Sequence, residues 1–268
     1  MPSVPSHQTV VTLQNIGMLP YNPNLVPNIL QFKDLERALL EDAQSYLYNA
    51  VISFGAAINS INIRNYGWAI VKFYYCVFYL ARSKLAVNQV AIVYDKKTPY
   101  QLQLISPSSC SLIKQTGRDA SSTHKLILKL SGDIFSSNSL LNDKIGTGSI
   151  LILDWLMKQR EIMNYTSVVM PDPDPPKILK QIVENSNINK WLETYKNDPR
   201  LYAIDEDHAC LAFPFLLLVD VLDEFKRKGC SPNILKINFN FIKNIFKEEK
   251  NKNLEVILLI IRNLIGVS

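Results

Sequence analysis

Apolar residues recur every three or four positions along much of the chain, which is the spacing of one helical face. We predict a first long helix from Ile29 onward, over LQFKDLERALLEDAQSYLYNAVISFGAAINSI. Its apolar face is formed by Leu35, Leu39, Ala43, Leu47, Ala50 and Phe54. After the polar break INIRN, the run YGWAIVKFYYCVFYLARSKLA is almost continuously apolar and aromatic. A second helix, buried on nearly all sides, is therefore expected.

Two β-prone segments interrupt this helical pattern. QVAIVYD and YQLQLIS flank the turn signal KKTP, which favours a short β-hairpin inserted into a helical scaffold. The stretch from Pro107 to Ser122 is rich in Ser, Thr, Gly and Cys, and we predict a loop there. It ends in the capping residues Ser121, Ser122 and Thr123 of a helix over HKLILKLSGDIF. Another helix, ILILDWLMKQREIMNY, is expected to follow the capping residue Ser149.

Prolines mark the predicted boundaries. Residues 1–28 carry five prolines and are expected to form an extended arm or loose cap. PDPDPP, residues 171–176, cannot be helical and is predicted to be a stiff connection. The predicted organisation is the arm, a helical bundle over 29–170, the connection, and a C-terminal extension over 177–268 that packs on the bundle. Four helices are expected in the extension: KILKQIVENS, ACLAFPFLLLVDVLDEFKRK, NILKINFNFIKNIFKEEK and LEVILLIIRNLIG.

Composition is that of a globular, mainly α-helical protein, with 268 residues of which 47% are hydrophobic and 20% charged. The early residues lack the pattern of a secretion signal, and the longest apolar stretches are interrupted by proline and charged residues. We therefore expect a cytoplasmic protein with no membrane partner. The net charge of +5 permits RNA or another acidic partner without requiring one.

Candidate cofactor and metal motifs are weak. The four cysteines are widely scattered without a paired CxxC spacing, so zinc is not expected and the thiols are predicted to be reduced. The segment GTGS, residues 146–149, lacks the Gly and Lys spacing of a phosphate-binding loop and is predicted to be a linker. No cofactor is expected.

Three helical segments carry motifs that are more specific in combination. Trp68–Ala86 is aromatic and contains the pair Ala81 and Arg82, residues 122–135 open with Ser-Thr-His-Lys, and Leu156–Tyr165 reads LMKQREIMNY. In this order they resemble the second, third and fourth helices of the HEPN superfamily, especially its small prokaryotic members that accompany nucleotidyltransferase-like antitoxins. The resemblance covers roughly residues 29–165 and implies a HEPN-like antiparallel helical bundle.

The resemblance also implies a ribonuclease site, which this chain has in altered form. Family members that cleave RNA carry an Arg, often followed by a polar residue and, a few positions later, a His. Here the signature contains Arg160, Glu161, Asn164 and Tyr165 and no His. Arg160 could hold a phosphate, whereas Asn164 is no base near neutral pH. The alternative is a structural network in which Arg160 pairs with Asp154 or Glu161 and Tyr165 closes the helix.

A second candidate pair matches the family spacing directly. Arg118 is followed by the polar Asp119 and then, after a short interval, by His124. An imidazole titrates near neutrality and a guanidinium pairs well with phosphate. Both residues lie away from the signature helix, so the alternative is a loop cation and a helix-capping histidine. The remaining histidines, His7 in the predicted arm and His208 after three acidic residues, are weaker candidates.

Two groups of cations could form a surface that faces nucleic acid, or they could be solvated helix ends. They are Lys226, Arg227 and Lys228, followed by Lys243, Lys247, Lys250 and Lys252. The resemblance implies a bacterial conflict protein of the antiphage or toxin–antitoxin type that binds or cleaves RNA, within a larger complex or as a homodimer. If it is an enzyme, we expect a metal-independent endoribonuclease. The alternative is a non-catalytic interaction subunit that docks onto a partner protein.

Overall fold

The computed structural model describes residues 7–22, 24–106, 109–117, 120, 122–135, 139–184, 187–246 and 255–266. These residues form twelve α-helices and one three-stranded antiparallel sheet, so the predicted mainly α class is confirmed. The helices are α1 (Gln8–Asn15), α2 (Ile29–Asn62), α3 (Tyr66–Val87), α4 (Thr123–Ile134), α5 (Ile152–Glu161), α6 (Lys177–Glu184), α7 (Ile188–Asn197), α8 (Pro199–Ile204), α9 (Ala209–Arg227), α10 (Asn233–Ile237), α11 (Phe239–Phe246) and α12 (Glu255–Ile265). The strands are β1 (Val90–Asp95), β2 (Thr98–Ser106) and β3 (Ser109–Lys114).

The chain divides into two compact units, each built from separate stretches of sequence. Unit 1 comprises residues 1–46 and 81–130, and unit 2 comprises residues 47–80 and 131–268. Helices α2 and α3 therefore each contribute residues to both units. The boundaries that the prolines suggest, after residues 28, 170 and 176, stay a prediction.

Helix α2 begins at a reciprocal cap and carries the predicted apolar face. The Gln31 N–H donates to the Asn28 Oδ1, and the Asn28 N–H donates to the Gln31 Oε1, each at 2.9 Å. This capping box satisfies N–H groups that the first helical turn leaves without a partner. The six residues of the predicted face are at most 1% exposed: Leu35, Leu39, Ala43, Leu47, Ala50 and Phe54.

Helix α1 lies where the prolines predict an extended arm or loose cap. Its first two N–H groups, those of Gln8 and Thr9, donate to the Asp42 carboxylate on α2 at 2.8 and 3.0 Å. Asp42 thus replaces an N-cap side chain, because the N-cap residue His7 makes no capping bond of its own. The prediction of an extended segment is wrong over Gln8–Asn15, since the stabilising carboxylate lies far away in sequence.

The sheet contains the predicted hairpin and one further strand. β1 and β2 pair antiparallel across the turn residues Lys96 and Lys97. β3 pairs antiparallel with the other side of β2, with Leu112 opposite Leu102. The predicted loop after Pro107 is therefore wrong over β3. The sequence of this strand, SCSLIK, has only one β-branched residue and shows little of the composition typical of strands.

Helix α9 forms the centre of unit 2. Every residue from Ala209 to Leu218 is buried, and α6, α7, α8 and α12 pack against the helix. Aromatic rings extend this core: the Phe54 ring on α2 lies 5.6 Å from the Phe73 ring on α3 and 6.5 Å from the Phe215 ring on α9. In the part of the chain that the structure describes, no helix has the length and apolar character to cross a membrane.

The described C-terminal region contains more helices than the four predicted. The segment NILKINFNFIKNIF divides into α10 and α11 at the turn residue Asn238. Helices α7 and α8 are additional, and each begins at a side-chain cap. Asn187 Oδ1 accepts from the Lys190 N–H at 3.1 Å, and Asp198 Oδ1 accepts from the Leu201 N–H at 3.4 Å. Helix α8 is too short to show a repeated apolar face, whereas α7 buries Ile188, Leu192 and Tyr195 at helical spacing, a pattern that the sequence prediction did not include.

Helix α5 starts later than predicted and ends in a π-helical turn. Its N-cap residue is Leu151, whereas the predicted cap Ser149 is exposed. At its other end α5 passes into a π-helical turn over Ile162–Thr166. There the Ser167 N–H donates to the Ile162 carbonyl at 2.9 Å. Such an i→i+5 bond widens the turn by one residue relative to an α-helix.

Gly55 on α2 permits close approach of α11 within unit 2. A Cβ at this position would overlap the Cγ2 of Ile245 and lie 3.2 Å from the Cζ of Phe246. Gly→Ala in a helix interior usually stabilises by about 0.5–1 kcal/mol. Here the overlap of the new Cβ with Ile245 costs more than the gain in helix propensity. We therefore expect Gly55→Ala to lower the free energy of unfolding, measured by urea denaturation, by about 1–3 kcal/mol.

Ile245→Ala removes the overlapping methyl group and supplies the control. The double variant Gly55→Ala/Ile245→Ala should lose less stability than the sum of the two single variants, because the new Cβ then has room. Strictly additive losses would contradict the close contact.

Candidate functional site

The structure brings some of the predicted site residues together and leaves others apart. Arg160 and Tyr165 come together at the end of α5, with Asn164 beside them in the π-helical turn. His124 lies in the first turn of α4 and is half-buried. Arg118 lies outside the described residues, so a pair with His124 stays a prediction.

The Arg160 guanidinium lies between two tyrosine rings. Its central carbon is 5.1 Å from the centroid of the Tyr74 ring on α3 and 5.6 Å from that of the Tyr165 ring. Tyr74 is completely buried, whereas Tyr165 is 75% exposed. Each cation–π contact of this kind contributes about 0.5–2 kcal/mol, more where water is excluded. The charge of Arg160 thus lies over one buried and one exposed aromatic ring, those of Tyr74 and Tyr165.

The π-helical turn explains why Tyr165, and not Asn164, lies over Arg160. In an α-helix, the neighbours of a residue on its own face are three and four positions away. The wider turn brings the residue five positions away onto that face. Asn164 is consequently half-buried and, among the described residues, its side chain makes no hydrogen bond. The sequence pattern predicts an uninterrupted α-helix here, so it gives no sign of this arrangement.

The positive charge of Arg160 has no carboxylate partner among the residues that the structure describes. Among the described residues, no ion pair within 4.0 Å includes Arg160, so the pairing with Asp154 or Glu161 that the sequence leaves open is not formed. Its Nε is buried and lacks a hydrogen-bond acceptor in the described part of the chain. An arginine that is held by aromatic rings and is not neutralised is available to an anion.

The segment from Arg160 to Tyr165, which we call the arginine turn, lacks a group that could move protons near neutral pH. Burial raises the pKa of Tyr74 further above its usual value of 10, although the Arg160 charge partly opposes this effect. A tyrosine of this kind stays protonated at neutral pH. Asn164 does not titrate. The arrangement can therefore bind an anion and stack a planar group, but it offers no general acid–base pair of its own.

The residues that follow this turn include exposed apolar side chains, those of Val168 and Val169. On α3, Trp68 is 47% exposed, although this helix was expected to be buried on nearly all sides. The segment then returns to the start of α3, where the N–H groups of Tyr66 and Gly67 donate to the Asp172 Oδ1. The Pro-rich connection thus supplies the N-terminal cap of α3 and fixes the far end of the exposed segment.

A second polar cluster, in unit 1, was not predicted. Arg82 on α3 donates to the Tyr46 Oη at 2.5 Å, and Tyr46 Oη lies 3.1 Å from the Nδ1 of His7. The Asp42 carboxylate lies 4.0 Å from the same Nδ1. Because Arg82 donates to the phenol oxygen, the phenol O–H can donate to a neutral His7. The sequence placed His7 in a loose arm, and no local pattern indicated its neighbours.

This His7 cluster fastens α1 to α2 and α3. The His7 ring packs against Tyr46, with 5.5 Å between the ring centroids, while Asp42 holds the first N–H groups of α1. Burial lowers the pKa of His7, the Arg82 charge lowers it further, and Asp42 opposes both effects. The contacts account for a structural role in attaching α1.

Other candidate residues are structural or lack a distinct environment. His208 is buried beside Trp191 and its Nδ1 lies 3.1 Å from the Tyr195 Oη, where burial lowers its pKa. Arg227, from the first basic group, pairs with Glu224 at 2.6 Å. Lys247, Lys250 and Lys252 lie outside the described residues. Within those residues, no cluster of three or more His, Cys, Asp or Glu is suited to a metal ion.

The His7 cluster should make folding stability depend on pH. Its imidazole binds a proton less readily in the folded chain than in the unfolded chain, where the pKa is near 6.5. Its contribution is therefore complete above that value and is lost as the pH falls below it. Arg82→Met should raise the His7 pKa, measured by NMR titration, and lessen the loss of unfolding free energy between about pH 7.5 and about pH 5.5.

Arg37→Met provides the matched control, because Arg37 is an exposed cation on α2 that pairs with Asp34. This variant should leave the His7 titration unchanged. Equal shifts in the Arg82 and Arg37 variants would show that Arg82 has no specific effect on His7.

Comparison with protein-family models, with curated proteins and with solved structures finds no match for this chain. Function must therefore be argued from the geometry. The surface that carries the most specific chemistry is the arginine turn of Arg160 and Tyr165.

Proposed function

We propose that this protein binds single-stranded RNA, and that the arginine turn is a contact site that holds RNA without cleaving it. The observation that carries the proposal is a guanidinium that pairs with no carboxylate of the described chain and lies over an exposed tyrosine ring. Single-stranded RNA is bound by this combination, in which a cation attracts the phosphate backbone and an aromatic ring stacks with a base.

The HEPN-like bundle is part of the same proposal. The three segments that carry the resemblance lie on α3, α4 and α5, in the expected order along the chain. The absence of a histidine from the signature, together with the half-buried Asn164, favours binding over catalysis at this position. The net charge of +5 favours association with a polyanion.

RNA affinity should depend on the tyrosine ring. We expect Tyr165→Ala to weaken binding of a labelled single-stranded RNA by about 1–3 kcal/mol, roughly 5- to 150-fold in Kd, because a stacking surface is lost. Tyr165→Phe keeps the ring and should bind nearly as well as the wild type. Fluorescence anisotropy measures both, and Tyr21→Ala, at an exposed tyrosine of unit 1, is the matched control.

RNA affinity should depend on both the charge and the planar shape of the Arg160 guanidinium. Arg160→Ala should weaken RNA binding and reduce its salt dependence, whereas Arg160→Lys should restore only part of the affinity because an ammonium does not stack in a plane. The RNA should stay intact on a gel with every variant. Wild-type affinity in folded Arg160→Ala and Tyr165→Ala would contradict the proposal.

A second candidate function, a subunit that docks onto a protein, is favoured by a separate observation. Val168 and Val169 are adjacent exposed apolar residues that follow an exposed tyrosine, and aromatic residues with apolar neighbours are typical of interface centres. A photo-crosslinking residue at position 168 should then capture one protein in cells, in proportion to the bait. The same residue at position 26, an exposed valine of unit 1, should not.

A further inference from the structure

Strand β3 forms an open edge of the sheet. The strand order is β1-β2-β3, so within the described ranges β3 pairs with a strand on one side and with none on the other. An edge strand presents unpaired N–H and C=O groups that can pair with another strand. The groups of β3 that face outward can be identified from its register with β2.

The register fixes which groups these are. The Gln115 N–H donates to the Pro99 carbonyl at 2.9 Å, which makes this pair a hydrogen-bonded pair of the β2–β3 ladder. In an antiparallel ladder such pairs alternate with pairs whose N–H and C=O groups point away from the partner strand. Cys110, Leu112 and Lys114 therefore direct their backbone groups outward.

These outward groups have no hydrogen-bond partner in the described part of the chain. Among the described residues, no hydrogen bond is made by the N–H or C=O of Cys110, Leu112 or Lys114 on the outer side of β3. Over the residues that the structure describes, no helix is hydrogen-bonded to this edge, and the charged side chain of the strand is Lys114, at its end. The features that usually protect an edge strand are here Lys114 at one end of β3 and an irregular register with β2 at the other end, between Leu104 and Ser106, so the middle of β3 is left for pairing.

We propose that β3 pairs with β3 of a second copy of this chain, antiparallel and about a two-fold axis at Leu112. In this register Leu112 lies opposite Leu112 of the partner subunit, and Cys110 lies opposite Lys114 of the partner subunit. Every outward N–H and C=O of Cys110, Leu112 and Lys114 then finds an acceptor or donor. Two three-stranded sheets become one continuous sheet.

The charge pattern of the strand favours a second copy as the occupant. Like charges directly opposite each other destabilise a strand pair. The two-fold register places each Lys114 opposite a neutral Cys110 of the partner subunit, so the two lysines lie at opposite ends of the new pair. The register with Leu112 on the two-fold axis therefore satisfies the backbone hydrogen bonds and also keeps the two lysines apart.

An exposed isoleucine supports the same register. Ile113 is 52% exposed, and with the axis at Leu112 it lies opposite Ser111 of the partner subunit. Its diagonal neighbour is Ile113 of the partner subunit, at the roughly 7–8 Å spacing that long side chains bridge. The contact covers apolar surface that a single copy leaves in water.

Disulfide crosslinking tests the register directly. Lys114→Cys places a thiol opposite the native Cys110 of the partner subunit at about 5.5 Å between Cα atoms, which a disulfide can span. Within one extended strand, Cys110 and position 114 are too far apart to link. Mild oxidation should give a covalent dimer, and adding Cys110→Ser should abolish it. Lys97→Cys, at an exposed lysine of the β1–β2 turn, is the matched control.

Sedimentation equilibrium supplies a second measurement that needs no crosslink. The wild type should show a monomer–dimer equilibrium over the micromolar range, and Ile113→Lys should weaken it several-fold by placing cations near the axis. Ile105→Lys, the same change at an exposed isoleucine of β2, should have little effect. A wild type that stays monomeric throughout, or crosslinking as efficient in Lys97→Cys as in Lys114→Cys, would overturn the proposal.

Discussion

Burial of helix α9 is the constraint on which unit 2 depends. The apolar side chains of α9 point in every direction over the stretch from Ala209 to Leu218, so the helix is stable only when other elements surround it. Four helices do so, together with the 3₁₀ turn Leu140–Asn142, which also packs against α5. The position of Arg160 thus follows from core packing, because α5 is held through its buried residues and carries the arginine to Tyr74.

The features that could be predicted from sequence are those that repeat along one element. The buried face of α2 has six regularly spaced members, and the β1–β2 hairpin has two β-prone strands around a turn signal. The features that could not be predicted depend on partners distant in sequence. Helix α1 is capped by Asp42 of another helix, and β3 is recognised only by its pairing with β2.

The candidate site likewise has one part that could be predicted from sequence and one part that could not. The residue types at its centre, Arg160 and Tyr165, could be identified from the motif in the sequence. Their mutual position could not, because it depends on a π-helical turn and on Tyr74, which approaches from α3. The His7 cluster was missed for a similar reason, since its three principal side chains come from three helices or their caps.

The π-helical turn makes the register of the chain, and not only the identity of its residues, a determinant of the surface. In an unbroken α-helix, the fifth residue after Arg160 would lie about 140° around the axis from it, and the wider turn reduces that angle. Removing one residue between Arg160 and Tyr165 would bring the tyrosine to the fourth position after the arginine, which an ordinary α-helix keeps on the same face. Related chains could therefore keep the same pair with either spacing, provided that the five-residue spacing comes with a π-helical turn.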